Sequence, residues 1–529
     1  MRRFLFWLIA AVWAGSGLRA QQQAPRLVVC ITVDQLRGDY LEYFYHAFDE
    51  HGFKRLMNEG VVYHNVAFEF RNVDQASAFA TLFTGANPNA HGITGRTVYS
   101  FETLRELPSL HDPEYLGNFT RDNYSPKNLL ASTIGDELKI ASKGRSEVYA
   151  IAPDAESAIL SAGHAANGAF WIDNANGKWA TTTYYRSVPW YVEKYNNGQE
   201  SLTARMAGMT WQPALAPDRY RALPYAQEKP PFSYTFKPRT LDCFPRIKTS
   251  PFGNREVNRL VSQFLEYGAF GTRPCPDMLA VTFYAGSFHG NRAEEYTAEI
   301  QDTYIQLDRD IAELLTAIDR KVGLRNTLVV FTGTGYFESE EEYAQGMQLG
   351  GGEFHPKRCT ALLNMYLMAL YGQKNWVNGF YNGQIYLNRK AVEEEKLDLA
   401  AFQRKAADFL SEFSGVAHVT TDMTLRAGTW NEGTADLQRG TYHLGRGDLI
   451  ISLQPGWAID NDEPGERVKH TRSNAVQTPL IFMANGLRPQ RIYREVRATE
   501  IAPTVTHLLR VRPPNACERI PLYEISTAR

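Results

Sequence analysis

The sequence predicts an α/β protein built around a buried, mainly parallel β-sheet. The first indication is residues 27–33, a continuous apolar run that ends at Asp34. Runs of this kind suit strands that are covered on both faces of a parallel sheet. The second indication is that similar short runs recur along the chain with helical patterns between them. These candidate strands are Val148 to Ile151, Met278 to Phe283, Thr327 to Phe331, Leu449 to Leu453 and Leu480 to Phe482.

The clearest helical pattern lies between two of these strands. Apolar residues recur at helical spacing from Tyr304 to Ile318, after the strand at 278–283 and before the strand at 327–331. Strand, helix and strand in this order predict a βαβ unit. Ligands of such sheets bind beyond the carboxyl ends of the strands, so the residues that follow each strand are the candidate site.

The amino terminus predicts secretion. Arg2 and Arg3 precede an apolar run from Phe4 to Trp13, and small residues lead to Ala20. This pattern is typical of a signal peptide, here residues 1–20, with cleavage near Ala20. The apolar run is too short for a membrane span, which needs about 20 residues. We therefore expect a mature chain of residues 21–529 in the periplasm or otherwise outside the cytoplasm, with no transmembrane segment.

Two long stretches interrupt the alternation of strands and helices. Residues 174–254 are rich in Trp, Tyr and Pro, and residues 336–442 form a second excursion. Loops of this length need structure of their own, so we predict insertions that cap the sheet. The aromatic residues of the first stretch have two interpretations, as the lining of a binding cleft or as packing between cap and core.

Composition excludes several classes of protein. The 529 residues carry a formal net charge of −2 and are 44% hydrophobic, which argues against a nucleic-acid partner and against disorder. The five cysteines show no CxxC spacing that would indicate a metal site. We interpret Cys30 as a buried core thiol, and the acidic run at 338–342 as a solvated loop.

Several sequence blocks together resemble one known family. They are Val33-Asp34-Gln35-Leu36-Arg37, Phe83-Thr84-Gly85, His91-Gly92-Ile93, Gly163 to Trp171, Ser250 to Asn254, Asp302 to Asp308, Gly445 to Asp448, Gln454 to Trp457 and Thr478 to Phe482. The chain is similar, over roughly residues 26–525, to the secreted, phosphate-irrepressible alkaline phosphatases of the PafA type in Bacteroidota. That group belongs with the nucleotide pyrophosphatase/phosphodiesterases in the alkaline phosphatase superfamily. The resemblance implies a three-layer α/β/α sandwich.

The resemblance also implies a site with two zinc ions, which activate a Thr or Ser nucleophile and hold the substrate oxygens. Asp34 matches the first zinc ligand of the family. The nucleophile position holds Gln75, whose amide has no ionisable oxygen. The other ligand positions, which should be Asp or His, hold residues that bind zinc weakly or not at all: Ser287, Asn291, Thr334, Gly335 and Gln477.

The phosphate-binding positions differ from the family as well. Arg96 stands where the family has Asn, and the Lys-x-Arg clamp is replaced by Asp154 and Glu156. Two carboxylates in place of two cations predict repulsion of phosphate. We expect all of these positions to meet in one cleft, with no catalytic residue and no metal cofactor.

The sequence therefore predicts a catalytically inactive member of the superfamily with a binding or scaffolding role in the cell envelope. The partner would be an envelope protein, an active paralogue, or an anionic or glycan ligand. The alternative is an active hydrolase with relocated chemistry, in which Ser77 is the nucleophile or Asp34, His289 and His470 hold one metal ion.

Overall fold

The architecture comes from a computed structural model. It describes residues 24–206, 208–221, 232–238, 240, 242–290, 296–338, 351–428, 431–454, 457–460, 469–470 and 475–526. The predicted signal peptide, Asn291 and residues 339–342 of the acidic run lie outside the described residues.

The strands are labelled in chain order. They are β1 (Leu27–Asp34), β2 (Val61–Ala67), β3 (Thr97–Ser100), β4 (Arg105–Pro108), β5 (Gly117–Asn118), β6 (Val148–Ala152), β7 (Gly168–Ile172), β8 (Trp179–Thr182), β9 (Thr210–Trp211), β10 (Tyr234–Thr235), β11 (Asp277–Tyr284), β12 (Thr327–Gly333), β13 (Gly352–Phe354), β14 (Val377–Tyr381), β15 (Gln384–Leu387), β16 (Val416–Thr421), β17 (Leu449–Leu453), β18 (Trp457–Ile459), β19 (Lys469–His470), β20 (Thr478–Met483) and β21 (Gln490–Arg497).

The α-helices are numbered in the same way. They are α1 (Gly38–Tyr43), α2 (Phe53–Glu59), α3 (Gln75–Thr84), α4 (Pro88–His91), α5 (Ile134–Ala141), α6 (Ala155–Ala162), α7 (Trp190–Asn197), α8 (Leu202–Arg205), α9 (Cys243–Lys248), α10 (Pro251–Tyr267), α11 (Thr297–Lys321), α12 (Pro356–Tyr371), α13 (Arg389–Glu394), α14 (Leu399–Ser411), α15 (Asp422–Arg426), α16 (Glu432–Arg439), α17 (Ile501–Leu509) and α18 (Tyr523–Ser526). None of the helices in the described part of the chain is long and apolar enough to span a bilayer.

The main sheet confirms the predicted fold class. It has ten strands in the order β21-β2-β20-β12-β1-β11-β6-β7-β8-β5. Its centre, from β12 to β7, is parallel, whereas β20 runs antiparallel to both of its neighbours. The predicted βαβ unit is present, and β1 lies between its two strands.

Both faces of this sheet are covered, which explains the unbroken apolar runs. Along β1, Val29 and Ile31 join the core on one face, while Val28 and Cys30 join the core on the other. Successive side chains of a strand point to opposite faces, so a strand packed on both sides must be apolar throughout. Burial raises the pKa of the Cys30 thiol to about 12, as expected for a core cysteine.

The first long stretch packs directly onto the main sheet. Its strand β8 is part of that sheet, and its side chains Tyr191, Tyr195 and Trp211 belong to the same core as β1. The Trp211 indole donates a hydrogen bond to Asp302 Oδ2 on α11 (2.6 Å). These aromatic residues therefore pack the stretch against the core, which is the second of the two interpretations.

The second long stretch builds a core of its own. An antiparallel sheet in the order β14-β15-β17-β16 packs against α12 and α14 around Leu363, Trp376 and Phe402. The prediction that Leu449–Leu453 is a strand is correct, but its place among the main-sheet candidates is wrong. It pairs with β15 and β16, because an apolar run is equally suited to the centre of this smaller sheet.

Candidate functional site

Three neighbouring strands and one helix bring the predicted site residues to one edge of the main sheet. Asp34 is the last residue of β1, and Thr334 directly follows β12. Because β20 is antiparallel, its beginning lies at the same edge, and Gln477 immediately precedes it. Gln75 is the first residue of α3, which lies over this edge. The sequence thus located the edge correctly.

Asp34 is buried and both of its carboxylate oxygens accept hydrogen bonds from the protein. Gln75 Nε2 donates to Oδ2 (2.8 Å) and Thr334 Oγ1 donates to Oδ1 (3.0 Å). The Tyr336 side chain is a further partner of this carboxylate. Burial raises the pKa of Asp34 to about 7, and these hydrogen bonds only partly oppose that effect.

Gln75 holds the centre of the cleft as an amide. Its Nε2 also lies 3.4 Å from Asp154 Oδ2, so one NH₂ group bridges two carboxylates. Its Oε1 is buried and has no hydrogen-bond partner among the described residues. Ser77, the relocated nucleophile of the alternative, is fully buried, and its hydroxyl forms the capping box of α3 with Asp74. That hydroxyl serves the helix terminus.

The two carboxylates at the predicted phosphate-clamp positions, Asp154 and Glu156, are each paired with a cation. Lys248 Nζ donates to Asp154 Oδ1 (2.8 Å), and Arg96 Nε lies 3.2 Å from Glu156 Oε1. Burial favours the neutral form of Asp154, but Lys248, Arg96 and Gln75 outweigh it and hold its pKa below the ordinary value. The predicted repulsion of phosphate by these two carboxylates is therefore opposed by the two cations that face them.

Lys248 is the site residue that sequence reasoning missed. It ends α9 and is 5% exposed. A signal was present, since Lys248 stands two residues before the Ser250–Asn254 block that carries part of the resemblance. A lysine that is almost fully buried requires a charged partner, which Asp154 supplies.

The remaining ligand positions are also near this edge, as far as the structure describes them. Ser287 is fully buried in the loop after β11, and its carbonyl accepts a hydrogen bond from Tyr284 (2.8 Å). Gln477 is exposed, and its carbonyl accepts from the Gly38 amide (2.8 Å). Gly335 has φ +73°, and a Cβ there would overlap the ring of Phe68. Asn291 lies outside the described residues.

Two of the three residues of the relocated metal site, Asp34 and His289, can be described. The His289 Nε2 lies 3.9 Å from Asp242 Oδ2, while Asp34 is engaged as described above. The side chain of His470 lies outside the described residues. Elsewhere in the described chain, Glu353, His355 and Asp460 come close enough for a metal ion, with His355 3.9–4.0 Å from each carboxylate. This partly exposed group lies beside β13 and β18, which belong to a separate three-stranded sheet.

The fold is that of an alkaline phosphatase-like α/β protein, and the comparisons with known proteins agree on this class. Residues 28–476 match the profile of the type I phosphodiesterase / nucleotide pyrophosphatase family, and the chain belongs to that family.

Among similar proteins, one from Myroides odoratus named calcium-transporting ATPase is 30% identical, covering 95% of each chain. Alkaline phosphatase PafA of Elizabethkingia meningoseptica is 28% identical, covering 98% of each chain. The crystal structure of wild-type PafA superposes with a TM-score of 0.82 at 27% identity, covering 95% of this chain and 99% of that one.

Proposed function

We propose that this chain is a non-hydrolytic member of its family, secreted to the periplasm, where it binds or scaffolds another component of the cell envelope. The observation that carries the proposal is the occupancy of Asp34. The one retained ligand position is held by Gln75 and Thr334, which donate one hydrogen bond to each of its two carboxylate oxygens.

The donor set does not fit the two zinc ions of the family. Zinc binds carboxylate, imidazole or thiolate ligands, with three or four in each site. Among the ligand positions only Asp34 offers such a group, whereas Thr334 and Ser287 offer neutral hydroxyls and Gly335 has no side chain. We therefore derive no hydrolytic step through zinc.

Charge compensation in the cleft supports the same proposal. In a phosphoryl-transfer site, cations must be available to the substrate oxygens as charge develops. Here Lys248 and Arg96 are already engaged by Asp154 and Glu156. A phosphate would have to displace two ion pairs and meet two carboxylates.

The test is hydrolysis and metal content on one preparation. We expect no zinc-dependent turnover of p-nitrophenyl phosphate or bis-p-nitrophenyl phosphate above buffer, and zinc well below stoichiometry. Gln75→Thr should remain inactive, because the ligands that would activate its hydroxyl are still missing. Alkaline phosphatase PafA under identical conditions is the positive control. Turnover that Gln75→Ala abolishes, with stoichiometric zinc in the wild type, would overturn the proposal.

Within the described part of the chain, the group of Glu353, His355 and Asp460 is a further candidate ligand set for the active-hydrolase alternative. It predicts metal binding and hydrolysis that both disappear in His355→Ala. The same assays on that variant therefore decide between the two functions.

Location and partner need separate experiments. Cell fractionation and amino-terminal sequencing should find a periplasmic chain that begins near Gln21, whereas a full-length cytoplasmic precursor would contradict secretion. An affinity pull-down from envelope extract should distinguish an envelope protein from an active paralogue as the partner.

A further inference from the structure

A second cleft lies between the main sheet's domain and the second long stretch. It encloses about 340 Å³. One wall comes from Gly92 to Leu130, including the β3–β4 hairpin, and the other comes from Tyr381 to Arg446. Because each wall belongs to a unit with its own buried core, the cleft is a junction between two packed bodies. Such junctions are preferred places for ligand sites, and ligand pockets are usually about 300–1,000 Å³.

Tyrosine rings form the apolar side of this cleft. The centroid of Tyr99 lies 4.0 Å from that of Tyr386 and 4.6 Å from that of Tyr381. Phe101 packs edge-on against Tyr386 (5.5 Å). These mutual contacts fix the ring planes, so a ligand that packs on them pays little entropy for ordering the protein. Tyr442 extends the same lining.

Polar groups are placed among the rings. Asn128 Nδ2 donates to the Ser109 carbonyl (2.8 Å), and Gln384 Oε1 accepts from the Gly447 amide (2.8 Å). Each amide is therefore anchored by one end. The Tyr99 hydroxyl is buried and has no hydrogen-bond partner in the described part of the chain, although its residue lines the cleft. A buried hydroxyl without a partner costs free energy that a ligand can recover.

The charges lining the cleft restrict the ligand further. Arg446 is neutralised by Asp422, whose Oδ1 lies 2.8 Å from its Nε. Glu106 carries the remaining charge, and its carboxylate accepts a hydrogen bond from Thr97. A carboxylate without a free cation disfavours phosphate and other anions. The cleft therefore suits a ligand with an apolar face, several hydroxyl or amide groups and no negative charge.

We propose that this cleft binds a neutral saccharide, a hexose or N-acetylhexosamine unit. One face of a sugar ring carries C–H groups that pack on aromatic rings, while its hydroxyls reach the anchored amides and the Tyr99 hydroxyl. The proposal does not depend on the loss of hydrolysis, because the cleft shares no side chain with the site around Asp34.

The experiment uses the purified full chain with the methyl glycosides of glucose, galactose, mannose and N-acetylglucosamine. Saturation-transfer NMR detects binding, and titration calorimetry measures the affinity. Glucose 6-phosphate tests the charge argument. Choline tests whether the tyrosines and Glu106 instead form a cage for a quaternary ammonium, for which aromatic faces are also suited.

Four variants locate the binding. Tyr381→Ala and Gln384→Ala should each weaken the affinity at least tenfold, and Tyr381→Phe should retain most of it because the ring remains. Tyr493→Ala is the matched control, since this tyrosine is 71% exposed on β21 and distant in sequence from the cleft. Circular dichroism shows whether each variant is folded.

Binding of at least one neutral glycoside, lost in Tyr381→Ala and kept in Tyr493→Ala, is the expected result. The proposal is overturned if none of the four glycosides binds at millimolar concentration. It is also overturned if choline or the sugar phosphate binds more tightly, or if Tyr381→Ala and Gln384→Ala leave the affinity unchanged.

Discussion

The two clefts of this molecule differ in how their polar groups are hydrogen-bonded. At the edge of the main sheet, the carboxylates of Asp34 and Asp154 accept hydrogen bonds from Gln75, Thr334 and Lys248. In the cleft between the two cores, the Tyr99 hydroxyl lacks a partner among the described residues. At the first site the carboxylates accept internal hydrogen bonds, although Gln75 Oε1 lacks a partner among the described residues. At the second, the unpartnered hydroxyl belongs to a residue that lines an open volume.

The largest effect on stability should come from removing Lys248, the cation that pairs with Asp154. This pair lies in the cleft at the edge of the main sheet, here called the closed cleft. Lys248→Met leaves Asp154 with its main partner missing, and breaking a buried ion pair costs about 3–5 kcal/mol. Urea unfolding measures the loss of free energy. Lys54→Met is the control, because its pair with the exposed Glu50 should contribute no more than about 1 kcal/mol. Equal losses in both variants would show that the closed cleft is not held together by this pair.

The pH dependence of stability should reveal the burial of Asp34. Its folded pKa, about 7, lies above the unfolded value, so between about pH 4 and 7 the folded state binds the extra proton. Stability from this group is therefore greatest at low pH and falls as pH rises, by at most about 1.4 kcal/mol per pH unit. Asp34→Asn should remove that slope. The exposed Asp39→Asn should keep it, and an unchanged slope in Asp34→Asn would contradict the burial argument.

The smallest effect on stability is expected in the cleft between the two cores, which Tyr99 lines. Tyr99→Phe removes a hydroxyl that makes no hydrogen bond to the described residues, so stability should change by less than about 1 kcal/mol and in the favourable direction. Thermal unfolding measures this. Tyr195→Phe is the matched comparison, because the Tyr195 hydroxyl donates to Glu256 (2.9 Å) and its loss should be destabilising. A clear destabilisation in Tyr99→Phe would mean that the hydroxyl is already satisfied.

The sequence predicted the main sheet, and the edge at which the predicted site positions lie, because that information is local. The strands β1, β11 and β12 are recognised directly as continuous apolar runs. Because these strands pair in parallel, the residues that follow them lie at the same edge of the sheet. It failed for β17, since the same apolar run fits the small sheet equally well. Family membership is now established by residues 28–476, while inactivity stays a prediction.

The parts of the sites that the sequence did not reveal depend on distant pairings. Lys248 meets Asp154 across 94 positions of the chain, and neither residue's neighbourhood announces the other. The cleft walls are separated further still along the chain, since Tyr99 on β3 contacts Tyr386 on β15. Contacts of this kind are properties of the packed molecule, which no pattern in a single segment can specify.

The backbone conformation at Gly335 and the packing around it disfavour any side chain at this predicted ligand position. Gly335 has φ +73°, a backbone conformation that residues other than glycine rarely adopt. The ring of Phe68 also occupies the volume that a Cβ atom would need. A histidine could not be introduced there by one substitution alone, because the ring and the backbone would both have to move. If the chain is the non-hydrolytic member proposed above, restoring a metal ligand at this position would therefore need several coupled changes, and the packing would act as a barrier to reversion.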